Sequence, residues 1–207
     1  MIKEAFILNY DCGNFSSLRS WLNKANIQTY LIDDAEEFEQ LNESTLLILP
    51  GVGHFKTAYD AITRKRFREP LESIRSTVPI LGICLGAQIM FESSEEAPTS
   101  RGLGWFNGHI KKLPTNQCPR LGWYETMNFI SDQKEIKRKN EDFFYYNHSY
   151  FIDGDLTALN DFKFYSKSSS NILADYVSKS RIMGIQYHPE KSQISGSQLL
   201  NWILVNL

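Results

Sequence analysis

The segment Gly82-Ile83-Cys84-Leu85-Gly86 sets a thiol between two glycines, where an apolar run gives way to a helical pattern. A cysteine on a strand-to-helix turn is presented for attack, and the glycines give the backbone room. A helix beyond it stabilises thiolate, the reactive form of the side chain, through its N-terminal amides. The amide of Leu85 then becomes an oxyanion donor. Taken alone, G-x-C-x-G also describes a small cysteine packed between strand and helix. Gln88, four residues on, adds a carboxamide one helical turn away that can reach a bound substrate.

A second cluster, Tyr187-His188-Pro189-Glu190, comes after the apolar run Ile182 to Gln186. Side chains two apart on a strand share a face, so His188 and Glu190 are expected to point together. A carboxylate beside an imidazole fixes its tautomer and stabilises the imidazolium. Cys84, His188 and Glu190 thus supply nucleophile, base and orienter, in an order compatible with strand ends meeting on one sheet edge. Pro50-Gly51-Val52-Gly53 comes directly after another apolar run, and its glycines let backbone amides approach a ligand. On spacing alone an ordinary turn is the preferred reading there. His54 and His109 have no partner at ligand spacing, Cys12 and Cys118 lack a helix N-terminus or nearby base, and Phe143-Phe144-Tyr145-Tyr146 reads as sheet core.

Positioning these groups requires an alternation of strands and helices. Ala5 to Leu8, Thr29 to Ile32, Leu46 to Leu49 and Pro79 to Ile83 are short apolar runs of the kind found in a sheet covered on both faces. Leu18, Trp21, Leu22 and Ala25, then Phe55, Ala58, Tyr59 and Ile62, have helical spacing, and Leu85 to Phe91 reads as helix. The pattern predicts an α/β fold with a mainly parallel central sheet flanked by helices. Strands are expected over Gly108 to Leu113, Leu121 to Phe129, Phe143 to Ile152, Phe162 to Tyr165, Leu173 to Val177 and Ile182 to Tyr187. Short turns between most of them make antiparallel additions. Lys134 to Lys139 reads as a solvated basic loop or helix face, and Leu199 to Leu207 as a closing helix.

A chain of 207 residues with no linker or repeat is expected to form one domain, 1–207. A net charge of -2 offers no electrostatic footprint for nucleic acid. No apolar stretch approaches the roughly 20 residues that span a bilayer, and the first apolar run is too short for a signal peptide, so the expected location is the cytoplasm. Three cysteines without C-x-x-C spacing argue against structural zinc and a disulfide framework.

Together these motifs resemble the class I (triad) glutamine amidotransferases, and more closely the glutaminase subunit of imidazole glycerol phosphate synthase. The likeness runs through Gly13-Asn14, Pro50-Gly51-Val52-Gly53, the cysteine turn with Gln88, Ser94-Glu95-Glu96, Gly102-Leu103-Gly104, Gly122-Trp123, His148-Ser149-Tyr150 and Gln186-x-His188-Pro189-Glu190-Lys191-Ser192. It implies that Cys84 attacks the side-chain amide of L-glutamine, with His188 moving the proton and Glu190 orienting it. Gln88, Glu96, His148, Ser149 and Tyr150 would hold the substrate, and Gly51, Val52 and Leu85 would form the oxyanion hole. No cofactor or metal is implied. Ammonia would pass to a (β/α)8-barrel synthase subunit in a heterodimer serving histidine biosynthesis, with Trp123 and Lys191 at the interface. The chain departs from the family at Arg120-Leu121-Gly122-Trp123-Tyr124, where His-Met-Gly-Trp-Asn is usual, at Asn147, usually apolar, and over Gly104 to Gly108. These departures leave open a paralogue that supplies ammonia to a surface-glycan sugar amidotransferase. A partner-independent cysteine hydrolase and a non-catalytic binding module are the readings from other classes.

Overall fold

The apolar runs lie side by side as strands, and their alternate residues feed two cores on opposite faces of one sheet. The computed structural model describes residues 2–126, 130–131, 134–135, 142–153, 164–167 and 172–207. In chain order the elements are β1 (Glu4–Leu8), α1 (Phe15–Asn23), β2 (Gln28–Ile32), β3 (Thr45–Leu49), α2 (Phe55–Arg64), α3 (Arg68–Ile74), β4 (Ile80–Ile83) and α4 (Leu85–Gln88). Next come β5 (Ser93–Ser94), β6 (His109–Lys112), β7 (Arg120–Thr126), β8 (Ile130–Ser131), β9 (Lys134–Glu135), β10 (Asp142–His148), β11 (Tyr150–Asp153), β12 (Phe164–Lys167), β13 (Ile172–Lys179), β14 (Ile182–Ile185) and α5 (Gln193–Asn206).

The main sheet runs β2-β1-β3-β4-β14-β13-β11-β6-β5, with β12 on β13. From β2 to β14 every pairing is parallel, while β13 joins β14, β11 joins β13 and β6 joins β11 antiparallel. The expected mainly parallel sheet with antiparallel additions is therefore what forms. Phe6, Leu8, Leu47 and Leu49 pack on one face with Phe55, Ala58 and Ile62 of α2 and Leu71 of α3. Ala5, Ile7, Leu46, Ile48, Leu81 and Ile83 pack on the other with Leu18, Trp21 and Leu22 of α1 and Leu199, Leu200 and Ile203 of α5. Burial on both faces explains why these strands are uniformly apolar rather than alternating.

Phe143 to Ile152 is not one strand. The strand is interrupted at Ser149, so among the described residues β10 pairs with β7 in a separate ribbon and touches His188 by one isolated bridge, while β11 joins the main sheet. The apolar run is misleading because Phe144 and Tyr146 face the core from the ribbon, whereas Ile152 enters the opposite core from the sheet. Of the basic run, Lys134–Glu135 pairs with Ile130–Ser131 as a two-residue strand, and 136–139 lie outside the described residues. The expected strand ends at Phe129 and Phe162 also lie outside them. Among the described residues no helix is long and apolar enough to cross a membrane.

Candidate active site

Cys84 occupies the turn between β4 and α4 with φ 49° and ψ -106°, a left-handed conformation that costs a residue with a side chain of order 1–3 kcal/mol. The parallel sheet enforces it. The Cys84 amide donates to the Ile185 carbonyl at 2.7 Å, and the Cys84 carbonyl accepts from Ala87 and Gln88 at 3.0 Å each. Gly86 is there because the turn passes against the end of β3: a Cβ at this position would lie 1.9 Å from the Leu49 carbonyl oxygen.

The helix expected over Leu85 to Phe91 is shorter. Its α-helical part is Leu85–Gln88, after which Met90 and Phe91 bond back three residues and the carbonyls of Ile89 and Met90 are taken by Leu103 and Trp105. A single turn has little macrodipole, so the expected dipole stabilisation of the thiolate is minor. The positive group facing the sulfur is His188.

His188 and Glu190 are also brought together differently from expectation. The strand ends at Ile185, and Pro189–Lys191 form one turn of 3-10 helix. The turn, not strand alternation, swings Glu190 back so that its Oε1 lies 2.8 Å from His188 Nδ1, both side chains being almost fully buried. Ser192 fixes this turn: its hydroxyl donates to the His188 carbonyl at 2.5 Å and accepts from the Tyr145 amide at 3.0 Å. The His188 amide donates to the Tyr145 carbonyl at 2.8 Å. Gly196 of α5 packs directly on Pro189, where a Cβ would meet the Pro189 carbonyl at 1.9 Å.

Burial works against a charged ring at His188. The facing Cys84 sulfur and the hydrogen-bonded Glu190 carboxylate overcome it and push its pKa up to about 10. At neutral pH the ring is an imidazolium poised against the sulfur. Cys12 is the contrast: burial, with Asp11 and Glu96 nearby, pushes its thiol up to about 11, which keeps it unreactive.

Cys84 and His188 open into a cleft of about 240 Å³ lined also by Gly51, Val52, Leu85, Gln88, Glu96, Asn147, His148, Ser149 and Tyr150. Pockets for drug-sized ligands run to roughly 300–1,000 Å³, so this one suits something as small as an amino acid. The structure brings all the expected catalytic, oxyanion and substrate residues, except Glu190 behind His188, to this one cleft. Gln88 donates from Nε2 to the Tyr150 carbonyl at 2.9 Å and to Gln186 Oε1 at 3.2 Å. Both its amide hydrogens are thereby used, and the amide can offer only an acceptor to a ligand. One Glu96 oxygen accepts from the Phe55 amide at 2.8 Å, at the start of α2.

His148 donates from Nδ1 to the Tyr150 carbonyl at 2.8 Å. Burial, partly opposed by this hydrogen bond and reinforced by Arg120 and His188, pulls its pKa down to about 3. The ring is neutral, and its Nε2 is a buried acceptor with no hydrogen-bond partner among the described residues. Gly51 lies against the cysteine turn so closely that a Cβ would be 1.6 Å from the Ile83 carbonyl oxygen and 2.7 Å from the Leu85 nitrogen. The Val52 carbonyl accepts from the Gly13 amide at 3.0 Å, and the Pro50 carbonyl from the Tyr10 hydroxyl. Burial, with Cys12 and Cys84 close by, holds the Tyr10 phenol in its protonated, donating form.

Trp123 and Lys191 stand outside the cleft, on the β7–β10 side. Trp123 is 45% exposed with its ring edge-on to Tyr145, and the Lys191 ammonium lies 5.4 Å from the centre of the same Tyr145 ring. Three groups at the site carry no sequence assignment: Tyr10, Ser192 and Gln186. Gln186 is the most findable, since a polar residue ending an apolar strand is itself a signal for a buried, partnered amide.

The sequence family described as "Glutamine amidotransferase class-I" matches residues 8–207. Among curated relatives, the imidazole glycerol phosphate synthase subunit HisH of Methanopyrus kandleri is 33% identical over 200 residues, covering 96% of this chain and 96% of that protein. HisH of Leptospira interrogans is 32% identical, covering 94% and 96%, and that of Bacillus cereus 36%, covering 94% and 90%. A solved structure described as a glutamine amidotransferase superposes with a TM-score of 0.71 at 13% identity over 97% of both chains. A glutamine amidotransferase from Thermotoga maritima gives 0.56 at 16%, covering 92% of this chain and 77% of that one. At such identities these two likenesses speak for the fold.

Proposed function

The chain belongs to the class-I glutamine amidotransferase family, and from that premise we propose that it is the glutaminase subunit of an imidazole glycerol phosphate synthase. The observation that carries the chemistry is the buried His188 ring set between the Cys84 sulfur and the Glu190 carboxylate, at one end of an amino-acid-sized cleft. Thiolate Cys84 attacks the side-chain amide carbon of L-glutamine. The developing oxyanion is taken by backbone amides of Leu85 and of the Gly51-Val52 segment. The carbon–nitrogen bond breaks as His188 gives its proton to the leaving nitrogen, releasing ammonia and leaving a glutamyl thioester. Water then attacks the thioester with His188 as base, the carbon–sulfur bond breaks, and glutamate leaves. Glu190 holds the ring tautomer throughout. Gln88, Glu96, His148, Ser149 and Tyr150 position the amino-acid end of the substrate, and the acceptors on Gln88 and His148 suit its ammonium.

Residues 1–207 form one glutaminase domain in this reading, and the ammonia goes to a (β/α)8-barrel synthase subunit in a heterodimer. Relatives named as subunit HisH of imidazole glycerol phosphate synthase, covered over nearly their whole length, support a synthase subunit as the partner. Trp123, Lys191 and the exposed Leu121, Tyr124 and Phe143 form the face that meets the barrel. The test is Cys84→Ala assayed with the synthase subunit. Glutamine-dependent product should fall by roughly 10⁴-fold or more, while synthesis from ammonium salts stays intact. Equal loss of both activities would sink the reading.

A second reading keeps the glutaminase and changes the acceptor to a surface-glycan sugar. It is favoured by Arg120, which is buried with its guanidinium 3.7 Å from the centre of the Tyr146 ring and 4.7 Å from that of Tyr124. That stack lies in the ribbon that carries Trp123. Complementation of a strain lacking the histidine-pathway glutaminase separates the two readings.

A further inference from the structure

Gln186 ends the apolar run of β14, two residues before His188, and is 1% exposed. The orientation of its amide is dictated by its neighbours. The Tyr150 carbonyl can only accept, so the group of Gln88 that meets it at 2.9 Å is the NH₂. The second hydrogen of that NH₂ points at Gln186, which must answer with its oxygen, at 3.2 Å. Gln186 therefore turns its own NH₂ the other way, where it lies 3.6 Å from the Cys84 sulfur. A thiolate is a far better acceptor than a thiol, so a fixed N–H aimed at sulfur favours the charged form.

From this chain of hydrogen bonds we infer that Gln186 is a catalytic residue of the triad site, donating to the Cys84 thiolate and tying it to the substrate-holding Gln88. The inference rests on the glutaminase reading for its meaning but not for its test. Gln186 does two things at once. Its NH₂ complements His188 on the sulfur, giving the thiolate a neutral donor that does not depart with the leaving group. Its oxygen locks Gln88 with the acceptor outward, so the nucleophile and the substrate-binding amide share one rigid link.

The experiment tracks alkylation of Cys84 by iodoacetamide as a function of pH, read on the Cys84 peptide by mass spectrometry. In Gln186→Met, which keeps the shape but neither hydrogen bond, the pH of half-maximal labelling should rise by about one unit. In Gln186→Glu, which keeps the acceptor for Gln88, it should rise further, because a carboxylate replaces the donor. KM for glutamine should increase in Gln186→Met and stay near wild type in Gln186→Glu, with kcat reduced in both. Thermal melting identifies the folded variants. An unmoved labelling profile in a folded variant overturns the inference, whatever happens to activity. On the wild-type chain, the Gln186 side-chain amide resonance should titrate with Cys84 and stop doing so in Cys84→Ala; a flat resonance also overturns it. If wild type fails to hydrolyse glutamine with its synthase subunit while the profile shifts as stated, the glutaminase reading falls and Gln186 stands.

Discussion

Burial pushes both histidines of the cleft toward the neutral form, and their neighbours separate them. His188 faces the Cys84 sulfur and the Glu190 carboxylate, which overcome burial and push it up to about 10. His148 has a carbonyl on one nitrogen and cations nearby, and is pulled down to about 3. Against an ordinary value of about 6.5, His188 contributes stability that is complete below that pH and is lost as pH rises toward its folded value. His148 has the reverse sign: the folded chain refuses a proton that the unfolded chain takes, so stability is present above about 6.5 and is lost as pH falls. Thermal denaturation across about pH 4 to 10 should show both limbs, with His188→Asn flattening the alkaline one. Ring nitrogen shifts should find His188 doubly protonated at about pH 8 and His148 singly protonated at about pH 5. A neutral His188 at pH 8 would refute the ion-pair picture. Glu190→Gln should cost on the order of 10²–10⁴-fold in glutamine turnover with little change in KM, since it removes the partner of the imidazolium and touches no substrate. The types of these residues were legible in the sequence, because a glycine-flanked cysteine and His-x-Glu have few other uses together. Their charge states were not, because those depend on which groups lie beside them and how little water reaches them.

At the scale of elements, the site is made by three strand ends and the turn behind each. β3 delivers Pro50 to Gly53, β4 delivers Cys84, and β14 delivers Gln186 to Glu190. The parallel registers set them level, Leu49 opposite Gly82 and Ile83 opposite Ile185. Gly51 is the tightest point of this arrangement. Gly51→Ala should separate the β3 and β4 turns, lowering stability by about 1–3 kcal/mol and glutamine hydrolysis by a hundredfold or more, of order 10²–10³, as for loss of an oxyanion donor. Urea denaturation and glutamate release measure the two effects. Wild-type turnover in this variant would remove Gly51 from the oxyanion hole. Apolar patterning makes these strands readable, whereas the elements beyond them are shaped from a distance. The helix after Cys84 is one turn because the 89–91 carbonyls are claimed by the segment at 102–106. The His-x-Glu pair is held by a turn braced on α5. Both rest on long-range contacts with no local signature.

For the whole molecule, the sheet divides into a parallel half that carries Cys84 and an antiparallel half that closes the cleft. The β7–β10 ribbon lies beside it, joined through the Tyr145 carbonyl to His188 and through Phe144 and Tyr187, whose rings lie 4.1 Å apart. A ribbon that both touches His188 and exposes Leu121, Trp123, Tyr124 and Phe143 is placed to report on whatever covers it. The isolated chain should therefore hydrolyse glutamine weakly and speed up once the acceptor-loaded synthase binds; high basal turnover would count against that coupling. Trp123→Ala should weaken association with the synthase subunit by about 2 kcal/mol or more, measured by calorimetric titration. By itself the sequence determined the α/β class and the mainly parallel sheet, and it singled out Cys84, His188 and Glu190 as the groups to look for, because burial on two faces and nucleophile chemistry both restrict residue choice at short range. Only the tertiary structure decided that His188 is charged and His148 neutral, that a turn rather than a strand presents Glu190, and that Gln186 reaches the sulfur. Each of those is set by neighbours distant in the chain, and hydrogen bonding and desolvation act through space.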